Sequence, residues 1–157
     1  MKNLTLPVIQ NNCDCCEPVQ SSGPAYPSIH QPFVAGSLQT TVGIFPRVLS
    51  NLTWVDRWEN IKARWGVGRM NYFIEPGLYA LNNPDAASPV LVTANYKMSF
   101  DKLRQALPGR NLWILVLDTK GINVWCAAGK GTFGTEELIS KIETSRLKEI
   151  VSHRKII

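Results

Sequence analysis

A chain of 157 residues, 45% hydrophobic and 18% charged, has the composition of an ordinary folded domain and length enough for one modest core. The net charge of +5 is uneven: residues 1–35 contribute −1 (Lys2 against Asp14 and Glu17) and the remainder +6, which suits an acidic partner protein or an anionic membrane surface. No Arg/Lys run is interleaved with aromatics, which argues against nucleic acid. No apolar run approaches the roughly 20 residues of a membrane helix, and no secretory signal is visible at Met1, so the sequence reads as cytoplasmic.

Residues 1–35 read as an irregular N-terminal arm, punctuated by Pro7, Pro18, Pro24, Pro27 and Pro32. Residues 36–157 read as one α/β domain. Within the arm, Cys13, Cys15 and Cys16 cluster three thiols. Clustered thiolates suit soft metal ions. Their spacing fits no closed zinc site, and an exposed thiol cluster is the plainer reading. Cys126 lies far along the chain, so the four cysteines make no disulfide framework.

Leu38–Phe45 predicts a short strand that Pro46 stops. Leu52, Val55, Trp58, Ile61 and Trp65 then recur at three- and four-residue steps, one apolar stripe of a helix. Ser50 or Asn51 is placed to cap it and Gly66 to stop it. Tryptophans on one face predict packing against a sheet. Met70–Ile74 and Leu78–Leu81 predict two β pieces around a turn at Glu75-Pro-Gly77, and Asn82–Asp85 another turn.

Pro89–Thr93 reads as a buried strand. Ser99 is placed to cap a helix Phe100–Leu107 with Phe100, Leu103 and Leu107 on one face. Leu112–Leu117 is the most apolar run and the expected sheet centre, since strands apolar on both faces suit parallel sheets covered by helices. After Asp118–Gly121 comes a short helix, Asn123–Lys130. Thr135 is placed to cap another helix running to about Arg146, with Leu138, Ile142 and, at the margin, Ile139 facing the core. Glu149–Val151 and Lys155–Ile157 predict a last strand. The alternation is that of a three-layer, Rossmann-like α/β fold. It supplies fewer strands than such a sheet normally has, which predicts a domain truncated at its C-terminus.

The stretch with chemical character is Asn123-Val-Trp-Cys-Ala-Ala-Gly-Lys130. Cys126 is followed by Ala127, Ala128 and Gly129, so something flat can approach the helix backbone and meet the thiol. Strand ends followed by a polar turn and a helix are where α/β folds place ligands. The bland alternative is a small buried cysteine on a packed helix. Two other patterns fit poorly. Gly129, Gly131 and Gly134 match G-x-G-x-x-G, but about ten residues separate them from the strand that a dinucleotide fingerprint requires. A Cys–His pair is not implied by His30 or His153.

The octapeptide resembles the cap-helix signature of the mercury-methylating corrinoid proteins, the HgcA family. Val90–Tyr96 and Leu117–Gly121 resemble the corrinoid-binding domain that this family shares with the corrinoid iron–sulfur protein of acetyl-CoA synthesis. The resemblance covers roughly residues 70–157, and it implies a Rossmann-like corrinoid-binding domain whose cofactor is a cobalamin-type corrinoid.

By resemblance, the helix lies under the corrin ring with Cys126 as lower axial ligand of cobalt. Asn123 would bond the sulfur or orient the helix start. Val124, Ala127, Ala128, Gly129 and Lys130 would lie along the ring. Trp125 would anchor the helix on the core. Thr93, Asn95, Thr119 and Gly121 would contact the corrinoid rim, or serve as plain turn formers.

The activity so implied is corrinoid-dependent methyl transfer to Hg(II), a methyltransferase reaction of an anaerobe. Its methyl source would be a folate-linked methyltransferase, and its electron donor a ferredoxin-like 4Fe-4S partner of the HgcB type. The full-length protein would be membrane-anchored at the cytoplasmic face. The alternative is a corrinoid methyl carrier of one-carbon, acetyl-CoA pathway metabolism. A fragment would bind corrinoid without turnover.

Overall fold

Among the described residues, five strands and five helices follow in the order β1 (Gly36–Gln39), β2 (Ile44–Val48), α1 (Trp54–Arg64), β3 (Gly77–Leu81), β4 (Val90–Ala94), α2 (Lys97–Gln105), β5 (Leu112–Leu117), α3 (Val124–Gly129), α4 (Thr135–Thr144) and α5 (Leu147–Ile150). A computed structural model describes residues 26–66, 72–129 and 134–157 of the chain. Cys13, Cys15, Cys16 and Lys130 lie outside the described residues, as do most of the arm and the first two residues of the β piece expected at Met70–Ile74, of which Phe73 makes a single antiparallel bridge to Tyr96.

The sheet order is β1-β2-β3-β5-β4. β4 and β5 run parallel, with Ala94 opposite Leu117, joined through α2 as a crossover unit. β3 pairs antiparallel with β5, and β1 with β2, so the sheet is mixed. β5 is buried at all six positions, and its side chains divide by alternation. Leu112, Ile114 and Val116 join Phe33, Tyr79, Leu81 and Phe100 on one face. Trp113, Leu115 and Leu117 join Leu78, Val90, Leu147 and Ile150 on the other. A sheet covered on both faces is the three-layer α/β arrangement expected. Phe33, from the predicted arm, belongs to this core.

Pro46 does not stop a strand. Leu38 and Phe45 lie on opposite arms of a hairpin, and Pro46 lies within β2, opposite Ser37. A proline has no N–H to donate, and β2 begins to pair with β3 only at Arg47, so no ladder bond on that side is lost.

The predicted stripe on α1 points the wrong way. Its inward positions are Asp56 and Ala63, 3% and 2% exposed, whereas Trp58, Ile61 and Trp65 face solvent. The cap is Thr53, one turn after Ser50. Its hydroxyl accepts the Asp56 N–H at 3.1 Å, and the Asp56 carboxylate accepts the Thr53 N–H at 3.0 Å. Gly66 does end the helix, at φ +86°.

α1 is held to α2 by charge rather than by its tryptophans. Lys97 Nζ lies 2.8 Å from Asp56 and 2.8 Å from Asp101. Arg104 Nη2 lies 2.8 Å from the same two carboxylates, and Arg104 Nη1 donates to the Leu49 carbonyl at 3.0 Å. Phe100 is buried while Leu103 and Leu107 pack partly buried against the core, as their spacing predicts.

Other boundaries differ. α2 starts at Lys97 without a side-chain cap, so Ser99 is inside the helix. Gly134, not Thr135, is the N-cap of α4. Leu138 and Ile142 pack partly buried on the core, and Ile139 is exposed. Residues 149–150 are the end of α5 rather than a strand, because Arg146 takes φ +51° and starts a new turn. The strand expected at Lys155–Ile157 is a single parallel bridge, Ile156 to Val90. Among the described residues, no helix is long and apolar enough to cross a membrane.

Candidate functional site

The parallel strands β4 and β5 end side by side at Ala94 and Leu117. Asn95 and residues 118–122 therefore meet beyond the same sheet edge. Asn95 is 3% exposed and organises them. Its Oδ1 accepts the Thr119 N–H at 3.0 Å, the Thr119 hydroxyl at 2.8 Å and the Gly121 N–H at 3.0 Å. Its Nδ2 donates to Asp118 Oδ1 at 3.2 Å. Gly121 takes φ +71°, where glycine is favoured, and an added Cβ would touch Phe73 at 3.4 Å. Ile122 N–H donates to the Thr119 carbonyl at 3.1 Å, closing the turn that leads into α3.

Two further residues tie this turn to its surroundings. The Asp118 N–H donates to Glu137 Oε1 on α4 at 2.9 Å. The Asp118 carboxylate accepts the Lys120 N–H at 2.9 Å and pairs with the Lys120 ammonium. Burial alone would raise the Asp118 carboxyl, but its hydrogen bonds from Lys120 and the charges of Lys120 and Lys141 hold it below the usual carboxylate range. The sequence reading passed over Asp118 and Glu137 as site residues. Asp followed two residues on by a donor N–H is an Asx-turn pattern, which could have flagged the first. Nothing local marks Glu137, whose partner is 19 residues away.

α3 begins at a side-chain cap. Asn123 Oδ1 accepts the Cys126 N–H at 2.9 Å, and the Asn123 carbonyl accepts the Ala127 N–H at 2.9 Å. Of the two roles expected for Asn123, the structure thus gives it the orientation of the helix start. Ala127 is fully buried and seats α3 on the sheet edge near β4. Cys126 is exposed and is a free thiol. Ala128 and Gly129 beside it are exposed too, and an added Cβ at Gly129 would meet nothing within 4 Å.

The expectation for Trp125 is overturned. It is 89% exposed and anchors nothing. With Ala127 on the inward side, a residue two positions earlier is rotated about 200° away.

The structure therefore brings Asn95, Thr119, Gly121, Asn123 and Cys126 to one end of the sheet, with Thr93 at 3% exposure in the strand below. Thr93, Asn95 and Thr119 are buried, and the hydrogen bonds of Asn95 and Thr119 go to the turn. Val124 is half-buried at the start of α3. Cys126, Trp125, Ala128 and Gly129 form the accessible surface. The two described cavities lie elsewhere, one by Leu49, Asn82 and Pro108 and one between α1 and α2. Among the described residues, no group of three or more His, Cys, Asp or Glu could hold a metal ion by itself.

These observations test the fit of a flat, metal-centred ring. A single soft donor stands clear of the surface, followed on the helix by Ala128 and Gly129, which add at most a methyl group, and preceded by the exposed Trp125. The donor set offers one ligand to a metal whose other ligands come from elsewhere, which is what a macrocycle provides. The fit is sterically open.

Comparison with known proteins gives the lineage. The family model described as CO dehydrogenase/acetyl-CoA synthase delta subunit (CdhD) matches residues 69–157. Among curated relatives, the acetyl-CoA decarbonylase/synthase complex subunit gamma of Methanocaldococcus jannaschii is 37% identical over 86 residues, 54% of this chain and 18% of that protein. Its counterpart from Methanopyrus kandleri is 35% identical over 86 residues, 54% of this chain and 19% of that protein. The counterpart from Archaeoglobus fulgidus is 31% identical over 86 residues. The chain thus spans about a fifth of the length of the curated relatives it matches. The matched segment holds β3, β4, β5, α3 and the turn that Asn95 organises, and on that ground the chain belongs to the CO dehydrogenase/acetyl-CoA synthase delta subunit family.

Proposed function

We propose that this chain is a corrinoid-binding module of a methyl-transfer protein, in which the Cys126 sulfur would hold the cobalt of the corrinoid. The observation that carries the proposal is the exposed thiol on α3 beside the small residues Ala128 and Gly129, set at the carboxyl ends of two parallel strands. When bound, a corrinoid supplies a cobalt atom able to accept and release a methyl group.

The chain's own residues do the rest. Cys126 presents a thiol that must lose its proton to bind metal, and a thiolate donates electron density to the metal it touches. Asn123 fixes the first turn of α3 and hence where the sulfur stands. Asn95 and Thr119 hold the preceding turn, so they are positioning residues beneath the ligand rather than contacts on its rim. Ala128 and Gly129 leave the ring room to approach. Lys130 is assigned to a polar group at the ring edge from the resemblance.

Two acceptors fit, each favoured by a different observation. The relatives are subunits of acetyl-CoA decarbonylase/synthase complexes, which favours a methyl carrier of one-carbon metabolism working within a protein assembly. The cysteine in Asn123–Lys130 favours Hg(II) as substrate. Bound to a metal, the Cys126 thiolate would enrich it in electron density, which suits a soft electrophile such as Hg(II) as the acceptor. A folate-linked methyltransferase as methyl source, a ferredoxin-like 4Fe-4S electron donor and attachment of the full-length protein to a membrane belong to this second reading.

A direct test loads the chain with methylcobalamin and offers Hg(II) or a carbonyl-bearing acetyl-CoA synthase centre. Methylmercury formed by the wild type and lost in Cys126→Ala supports the mercury reading. Transfer to the synthase centre alone, with Cys126→Ala unimpaired, supports the carrier and removes the role of the thiol. Failure of both proteins to retain the corrinoid overturns the proposal.

A further inference from the structure

The two tryptophans of α1 and the one at its C-cap are unaccounted for by the fold or by the site. Trp54, Trp58 and Trp65 are 78%, 53% and 83% exposed, and Ile61 between them is 48% exposed. At 100° per residue these four fall within an arc of about 60°, directly opposite the buried Asp56 and Ala63. Arg57 and Arg64 line one side of the ridge and Lys62 the other, and all three are exposed. The helix's acids are not on this half. Asp56 is buried in the ion cluster, and Glu59 lies on the inward flank, where its charge reaches Tyr72.

A trough of about 270 Å³ runs between α1 and α2 along the arginine side. Arg57, Arg64 and Lys102 line it together with the apolar Leu52, Ile61 and Met98 and the amides of Asn60 and Gln105. Cations beside apolar side chains match a phosphate head joined to a hydrocarbon chain.

We propose that this ridge seats the domain on an anionic lipid bilayer, with the indoles in the headgroup layer and the flanking cations paired with lipid phosphates. The residue choice favours a bilayer over an acidic protein. Indole is the side chain enriched at membrane–water interfaces, because one end is apolar and the other hydrogen-bonds. The ridge is convex and regular, so a protein partner would need a matching groove, whereas a fluid surface needs none. Arg and Lys on both flanks let apolar stems follow the indoles while the charges stay in the headgroup layer. At 11 residues α1 lies in the plane of the interface and does not span it.

The test uses the full chain with vesicles of phosphatidylcholine alone, or with about one third phosphatidylglycerol. Co-sedimentation and a blue shift of tryptophan emission are expected with the anionic vesicles only, weakening as salt is raised. Arg57→Gln/Lys62→Gln/Arg64→Gln should lower partition roughly a hundredfold, at about one power of five per cation. Trp54→Ser/Trp58→Ser/Trp65→Ser should abolish both signals. These positions are exposed, and circular dichroism checks that the variants fold. Trp125→Ser, which removes an exposed indole outside the ridge, should leave partition unchanged. Equal partition of wild type and ridge variants, equal binding to neutral vesicles, or no binding at all overturns the proposal, and the last leaves the ridge to a protein partner.

Discussion

Between α1 and α2, Lys97, Arg104, Asp56 and Asp101 are buried to 6% exposure or less and pair among themselves, two cations against two anions. Beyond the ends of β4 and β5, Asn95 and Thr119 are buried as deeply, yet their hydrogen bonds go to each other, to Asp118 and to backbone groups, and hold a turn. The first region closes on itself and leaves nothing to offer a ligand. The second is closed underneath and open above, where Cys126 stands in solvent on a helix fixed by Asn123. Buried polarity therefore marks architecture at one place and support for a reactive group at the other, and the difference lies in what the network holds up.

The comparison breaks most visibly if one charge is removed. Lys97→Met leaves Asp56 and Asp101 sharing Arg104 alone, and should cost about 3–5 kcal/mol in denaturant unfolding. A loss below about 1 kcal/mol would show that the cluster is not what docks α1. At the other region, Asn95→Ala strands the Thr119 and Gly121 N–H groups and should cost about 3 kcal/mol. It should also weaken corrinoid binding, since the turn beneath α3 loosens. Lys97→Met should leave the affinity of the folded protein unchanged.

The pH dependence sharpens the same contrast. Burial would raise the Asp56 carboxyl, but the Lys97 hydrogen bond and the charges of Lys97 and Arg104 prevail and lower it from 3.8 to about 2. A carboxyl depressed on folding contributes stability that is present above its unfolded value and lost as pH falls through the folded one. About 2 kcal/mol should therefore vanish between roughly pH 4 and pH 2. In Asp56→Asn that slope should flatten, while in Cys126→Ala it should persist. The smallest effect is expected at Trp125, where replacement by Ser should change unfolding free energy by under about 0.5 kcal/mol, because the indole touches solvent rather than core.

The sheet was legible where residues are apolar on both faces. Leu78–Leu81, Val90–Thr93 and Leu112–Leu117 lie in strands within a residue or two of the expected limits. Periodicity located α1 as well, but a period gives a face and not its direction. Here Asp56 and Asn60 turn inward because their partners are charged side chains on α2, Lys97, Arg104 and Asp101, whose positions depend on the folded chain. Trp125 misled for the same reason. Cys126 and Asn123 were legible as a motif, since cap and thiol are three residues apart. The network around Asn95 was not, because its partners lie 23 to 26 residues away and half are backbone groups that any residue could supply.

One measurement bears on the metal ligand most directly. The chain is reconstituted with cobalamin, and its visible spectrum and cobalt-edge X-ray absorption are compared with those of Cys126→Ala. The account predicts a thiolate-to-cobalt band and a sulfur scatterer in the wild type, both absent from the variant. Identical spectra, with only nitrogen or oxygen bound to cobalt in each, would contradict it.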